Sequence, residues 1–386
     1  SFAYLENYYV AYKYLISRIS KNFQNIYFVN CENLKLFFRN KKFEKKILLK
    51  FPKKIKFVNP KNFKDFEFFL KKKNPLIIND IGRGFEYYRL LFFIKTKRIP
   101  QILAGHVGNI QASTFFWHKI NINIIKLFLF RNLPRLISRI LVFFKVFSPV
   151  DVRFVSNKKY YANYIKNSKK KFPFRLPTYY KEIVLVKGKS FDNFEKEKQN
   201  LSEKYILLLD MQPEYDDMKF IKILEESTIK KHYENLNNLL SILSKKFKKK
   251  VIISIHPSYD LKKTSERFKN YQVKRLKTQE YIKKSFIVLF FDSSAILPAI
   301  TLKKKIICLR SDLYKGKKYN SDLYKDILHL KAIEISKKIT IKKSNFIKDL
   351  NKRINFYDGY LKNYTSSNLP ETGSEKIVKF IKSRYF

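Results

Sequence analysis

The sequence predicts an α/β protein of two domains, each a parallel sheet with helices on both faces, and three observations predict it. Short apolar runs bounded by polar punctuation alternate with longer mixed segments, the pattern of buried strands followed by helices. The chain has 386 residues, more than one hydrophobic core ordinarily supports. Between Lys187 and Lys204 the stretch KGKSFDNFEKEKQNLSEK has almost no core-forming residues, and it separates two segments that each carry the full alternation.

In the first domain, 1–190, strands are predicted at Ile26–Val29, Ile55–Val58, Leu76–Ile78, Gln101–Leu103, Val152–Val155 and Ile183–Val186, several followed by Asn, Asp or Gly as strand-to-helix loops are. The second domain, 200–370, opens with strand Tyr205–Leu209 and a helix near Tyr233–Phe247. Strands at Val251–Ile255, Ile287–Phe291 and Lys305–Leu309 follow. This spacing implies right-handed crossovers and parallel sheets buried on both faces, so the expected architecture is two Rossmann-like domains facing across a cleft. An amphipathic segment, Ser374–Ile381, makes 371–386 a terminal helix. The Lys-rich runs Lys71–Lys73 and Lys303–Lys305 read as solvated loop or helix ends.

The formal net charge is +50, which points to nucleic acid, an anionic membrane face or a phosphorylated substrate. Lys far outnumbers Arg and the basic residues spread from end to end, whereas a nucleic-acid reader would concentrate Arg for bidentate contacts. Nucleic acid is therefore not the expected partner. The two cysteines, Cys31 and Cys308, are far apart in sequence, sit in or beside apolar runs and read as inert buried thiols in a reducing cytoplasm. Ser1–Ser20 has no short apolar core, so no signal peptide is expected there. No run of 18 uncharged apolar residues predicts a membrane span; the nearest, Ile120–Phe147, is interrupted by cations and by Pro134. Its segment Leu136–Phe147, with Arg135, Arg139 and Lys145, fits either a helix packed on the first sheet or one seated on anionic lipid.

In an open parallel sheet ligands bind outside the carboxyl ends of the strands, so polar residues just after apolar runs are the ones to inspect. Three places stand out in the second domain. His256-Pro257 follows VIISI, and its imidazole can offer a hydrogen bond or a charge to phosphate, although a structural role suits it as well. Asp292-Ser293-Ser294 follows IVLFF and opens AILPAITLKKK. One hydroxyl can cap a helix there and another can serve an anion, or capping is all they do. Asp210 follows YILLL and precedes Gln212, Pro213 and Asp216, where turn formation is the competing reading.

Taken in order, a strand ending in HP, the segment LKTQEYIKKS with Thr278 and Glu280, a strand ending in DSS, a helix and the strand KIICL make up a recognisable series. This half resembles the nucleotide-binding domain of bacterial surface-polysaccharide glycosyltransferases of the GT-B type, a group that includes sialyltransferases, Kdo transferases and polymerases using CDP-linked donors. The line YILLLDMQPEYDD also resembles surface-carbohydrate biosynthesis proteins. The resemblance covers roughly 200–382. It implies that His256, with Pro257, contacts the donor phosphate, that Ser293 and Ser294 with Asp292 bind phosphate or nucleotide, that Thr278 and Glu280 lie near base or ribose, and that Asp210 belongs to the same side. It also implies transfer of a sugar from a nucleotide-sugar, CMP-linked in the favoured case and UDP- or GDP-linked otherwise, to a glycan or lipid-linked acceptor. The nucleotide-sugar is a co-substrate and no cofactor is expected.

No metal is needed if protein groups stabilise the leaving phosphate, and Asp216-Asp217 read as a solvated turn. A base must take the acceptor proton and should come from the first domain. Asp80 is the first choice, since it ends PLIIN and precedes Gly82, Arg83 and Gly84. It reads Asn-Asp-Ile-Gly where the HP-bearing sialyltransferases have two acids before glycine, and turn or cap duty competes. His106 in LAGHVGN is the reserve, with a plain loop histidine as its alternative. The GxG at Gly82–Gly84 lacks a third glycine, and LPETG at Leu369–Gly373 lacks an apolar tail; neither carries function. A basic nucleic-acid binder and a polyol-phosphate transferase with a CDP-linked donor are the rival readings. The expected location is cytoplasmic, on the inner membrane surface where lipid is engaged.

Overall fold

The computed structural model describes residues 12, 14–29, 54–71, 75–78, 87–104, 133–168, 180–188, 203–212, 225–256, 259–293, 295–314, 320–337 and 340–386. These fall into two compact units, one holding the described residues before 190 together with Thr365–Phe386, the other those from 203 to Tyr364. Cys31, Asp80, His106, Pro257 and Ser294 lie outside the described residues.

In the first unit β1 (Ile26–Val29) pairs in parallel with β2 (Ile55–Val58). A four-stranded parallel sheet runs in the order β3 (Ile77–Ile78), β4 (Gln101–Leu103), β5 (Val150–Val155), β6 (Tyr180–Leu185). Around these lie α1 (14–22), α2 (Phe63–Lys71), α3 (Tyr88–Thr96), α4 (Leu133–Phe143) and α5 (Lys158–Ser168). Strand β6 starts three residues before the apolar run because Tyr180, Lys181 and Glu182 alternate along a half-covered edge. An edge strand has no need of a continuous apolar sequence.

The second unit is a single six-stranded sheet. Its elements are β7 (Tyr205–Leu209), α6 (Glu226–Phe247), β8 (Lys250–Ile255), α7 (Leu261–Arg267), β9 (Gln272–Arg275), α8 (Thr278–Lys283), β10 (Ser285–Phe290), α9 (Ile296–Thr301), β11 (Lys305–Arg310), α10 (Asn320–Leu328), β12 (Lys331–Glu334), α11 (Lys343–Ile354) and α12 (Phe356–Tyr364). The spatial order is β12-β11-β10-β7-β8-β9, with every pairing parallel. The chain leaves β7 in one direction for β8 and β9, then crosses to the other side for β10 to β12. That doubly wound order places a topological switch point between β7 and β10.

The period-two alternation of β7 explains its burial on both faces. Ile206 and Leu208 join a core with α6, which contributes Tyr233, Leu236, Leu240 and Leu243 at helical spacing. Tyr205, Leu207 and Leu209 join the opposite core with α9, α10 and α12, where Cys308 is fully buried. Helix α6 is longer than its apolar half because Glu226 suits the positive helix end, as Lys245 and Lys246 suit the other. The run Lys303–Lys305 is only partly solvated: Lys304 is buried and its Nζ donates to the Ser285 carbonyl at 3.0 Å. Its aliphatic stem fills space while one strong bond holds the ammonium, which corrects the reading of this run as a plain exposed end.

The terminal helix α13 (Gly373–Tyr385) belongs to the first unit. Thr372 and Glu375 form a reciprocal capping box. Ile377, Val378 and Ile381 pack with Tyr12, Leu15, Val152 and Phe154, and Glu375 pairs with Arg18. Thus the LPETG stretch supplies a helix cap.

Candidate functional site

The register of three neighbouring strands sets the carboxyl rim of the second sheet. Leu209 is level with Ser254 on β8 and with Phe290 on β10, and the Asp210 N–H donates to the Ser254 carbonyl at 3.0 Å. Asp210, just past β7, Ile255, the last residue of β8, and Phe291, just past β10, therefore stand at one height, with His256 and Asp292 one residue beyond on either side of the β7 extension. Two strand spacings separate those flanks, roughly 10 Å.

His256 is exposed at the end of β8, and its carbonyl accepts the Tyr259 N–H at 2.9 Å. Its ring lies 5.4 Å from that of Tyr259. Loss of water around the imidazole lowers its pKa from the ordinary histidine value. Two residues earlier, in β8, Ser254 Oγ lies 2.8 Å from Thr278 Oγ1. That contact ties the first turn of α8 to the end of β8, and Glu280 on the same turn is exposed.

Across β7, Asp292 and Ser293 are half-buried. The Ser293 hydroxyl accepts the Ala295 N–H at 3.2 Å, and its carbonyl accepts the Ile296 N–H at 3.2 Å. Ser293 thus closes a turn before α9 and does not itself occupy the N-cap, which is Ala295. The charge of Asp292 reaches the buried Tyr324 phenol, held well above its usual range chiefly by burial and further by Tyr360. Tyr324 belongs to the core on the α9–α10 face, as does Ile282 of α8.

Asp210 is placed differently. It is buried, and Tyr233 Oη on α6 lies 3.5 Å from its Oδ2. Arg267 in turn donates to Tyr233 Oη at 3.4 Å and stacks over the ring at 4.5 Å. Asp210 therefore sits on the α6 face, whereas Thr278 and Asp292 associate with the opposite one.

Other polar groups at this rim were not singled out in the sequence. Fully buried Gln212 donates through Nε2 to the Asp260 carbonyl at 3.1 Å and contacts Thr264 Oγ1. Asp260 caps α7 by accepting the Lys263 N–H at 3.1 Å. Gln212 thereby fastens the segment after His256 to the end of β7. His232 is buried on α6 with Nδ1 2.7 Å from Ser311 Oγ, just beyond β11, and its ring is 5.2 Å from Phe291. The signals existed: Ser254 interrupts an apolar strand, and His232 holds a position between Ile229 and Leu236 on the apolar stripe of α6.

No protein-family model and no curated protein matches the sequence. Solved structures do match in shape. The UDP-GlcNAc 2-epimerase from Methanocaldococcus jannaschii aligns with 97% of this chain and 96% of its own at 15% identity, with a TM-score of 0.52. A histidine-to-alanine variant of the wall teichoic acid polymerase TagF aligns with 97% of this chain and 86% of its own at 12% identity, again with a TM-score of 0.52. A histidine-to-asparagine variant of TagF soaked with CDPG gives a TM-score of 0.51 at 9% identity, over 97% of this chain and 83% of its own. The chain has the GT-B fold. The strand order of the second unit puts its switch point between β7 and β10, and the rim there carries Asp210, Asp292 and Ser293, with His256 one strand away. Among the described residues no group of three His, Cys, Asp or Glu side chains is placed to hold a metal, and no helix is long and apolar enough to cross a membrane.

Proposed function

We propose that this chain is a glycosyltransferase of bacterial surface-polysaccharide synthesis that binds a nucleotide-sugar donor at the carboxyl rim of its second sheet. The observation that carries the reading is the switch point itself. It is flanked by an exposed imidazole at 256 and, in the half-buried Asp292-Ser293 turn, by the Ser293 hydroxyl, both able to donate to phosphate oxygens. Pro257, Ser294 and Thr278 join the donor side, and Asp210 supports it from the α6 face; Glu280, expected there, has its charge beside the Tyr205 phenol at the start of β7 instead. His256 serves the leaving phosphate, where stabilisation of developing charge assists most. The acceptor, a glycan or lipid-linked glycan at the cytoplasmic membrane surface, falls to the first unit, with Asp80 first and His106 second as its base.

The span of roughly 10 Å across the end of β7 favours two phosphates over one, and hence UDP-, CDP- or GDP-linked donors over the CMP-linked donor first favoured. The neighbours named for UDP-GlcNAc and soaked with CDPG agree with that preference. The TagF likeness also keeps a polyol-phosphate transferase as the second reading, which product mass separates from the first.

His256→Ala should lower turnover at least about tenfold, the loss of about 1.4 kcal/mol of transition-state stabilisation. Its melting temperature should stay that of the wild type. Wild-type turnover in this variant removes the assigned role, and steep salt-dependent binding to generic nucleic acid, indifferent to nucleotide sugars, replaces the enzyme reading by the binder.

A further inference from the structure

Helix α4 (Leu133–Phe143) of the first unit presents Leu136, Ile140, Phe143 and the following Phe144 at helical spacing along one face, 43%, 42%, 48% and 68% exposed. Of the eleven large apolar side chains exposed among the described residues, these four and Val146 make five, all within one short stretch. Single exposed apolar residues are ordinary, whereas a contiguous group marks an interaction site. The helix is fixed by its other face: Ser138 is buried and donates to Tyr88 Oη at 3.2 Å, and the Tyr88 ring packs on Phe147 at 5.1 Å. Phe92, one turn along α3 from Tyr88, is exposed too, at 52%.

Charge identifies the occupant. From Glu86 to Asp151 the chain has no acidic residue between those two positions, although it carries 32 elsewhere, while Lys and Arg recur throughout the interval. Arg139 lies on α4 itself, Lys145 is exposed just after it, and Lys97 and Arg98 are exposed at the end of α3. A protein partner would ordinarily meet charges of both signs. A surface of Phe and Leu on a stretch of chain whose charged residues are all cations is complementary to a bilayer with anionic headgroups, the rings entering the acyl boundary and the cations staying at the phosphates.

We propose that α4 with the end of α3 seats this protein on an anionic lipid bilayer. The idea deepens the membrane side of the proposed function and is tested without nucleotide or acceptor, so either reading can fail alone. The full chain should sediment with vesicles of phosphatidylcholine containing a minority of phosphatidylglycerol, and much less with phosphatidylcholine alone. The double variant Phe143→Ser/Phe144→Ser should lose vesicle partition by at least about tenfold while its melting temperature falls little, because the two side chains are 48% and 68% exposed. Arg139→Gln/Lys145→Gln should weaken binding and blunt its salt sensitivity. The proposal is overturned if the wild-type chain ignores the anionic vesicles, or if the serine variant binds them equally, which would leave net charge as the whole cause. It is also overturned if the serine substitutions abolish concentration-dependent self-association and leave vesicle binding intact.

Discussion

The two rims of the six-stranded sheet use the same kinds of polar residue for opposite ends. At the amino rim each group is closed into a fastener. Ser285 Oγ donates to the Ile282 carbonyl at 2.7 Å, Lys304 Nζ to the Ser285 carbonyl at 3.0 Å, and Tyr357 Oη to the Lys304 carbonyl at 3.1 Å. Tyr205 Oη donates to the Tyr281 carbonyl at 3.0 Å, and burial, with Tyr281 and Glu280 nearby, pushes its pKa up to about 12. At the carboxyl rim His256 is exposed and Asp292 and Ser293 are half-buried. A serine or a lysine in the sequence does not say which duty it has, and the end of the strand on which it falls says so only in part, since Ser254 at the carboxyl rim is also buried and bonded, to Thr278.

The contrast breaks first at the amino rim. Tyr357→Ala removes a fully buried ring and the bond to Lys304, and should cost about 3–5 kcal/mol of stability. Nucleotide affinity of the molecules that stay folded should be unchanged. Urea unfolding with and without UDP or CDP measures both, and a large affinity loss would mean the rims are not separate.

A smaller effect sharpens the boundary between structure and function at the carboxyl rim. Gln212→Leu removes the bond to the Asp260 carbonyl inside a buried network, at about 1–3 kcal/mol. Unlike Tyr357→Ala it should also weaken nucleotide binding, because Gln212 holds the segment that follows His256. Gln212→Glu, which keeps the acceptor but not the donor, should not restore binding. Equal affinity in all three proteins would reduce Gln212 to a packing residue.

These cases show what could be read from residues alone. The inner strands β7, β8, β10 and β11 were legible because burial on both faces demands continuous apolar runs, as in Tyr205–Leu209. The edge strands Gln272–Arg275 and Lys331–Glu334 were not. An edge is half-solvated and tolerates QVKR or KAIE, sequences with no apolar run. Position after a strand picked out His256, Asp210 and Asp292-Ser293, and the sheet does set all of them at its carboxyl rim, since that rule is topological. The same rule could not say that Asp210 faces α6 while Thr278 joins Ser254 on the other side, because that depends on tertiary contacts distant in sequence. It named Gln212 only as part of a turn after Asp210 and could not give its role, since its partners Asp260 and Thr264 are brought to it only by the fold.

The smallest effect is a change of sign with pH. Although His256 is exposed as a residue, part of the water around its ring is displaced in the free protein, so its folded pKa lies below the unfolded one. Between the two values the unfolded chain binds the extra proton, and His256 therefore makes the free protein less stable as pH falls through that window, below the ordinary histidine value of about 6.5. A phosphate beside the ring reverses the balance by favouring the cation, so nucleotide binding takes up a proton and tightens as pH falls. Melting curves near pH 5.5 and pH 8, about one unit or more either side of the ordinary value, should show a larger UDP- or CDP-induced shift at the lower pH. His256→Gln, which keeps a donor but cannot titrate, should flatten that dependence. A slope that survives the substitution belongs to another group, and the imidazole then has no more claim on the ligand than the buried histidine at 232.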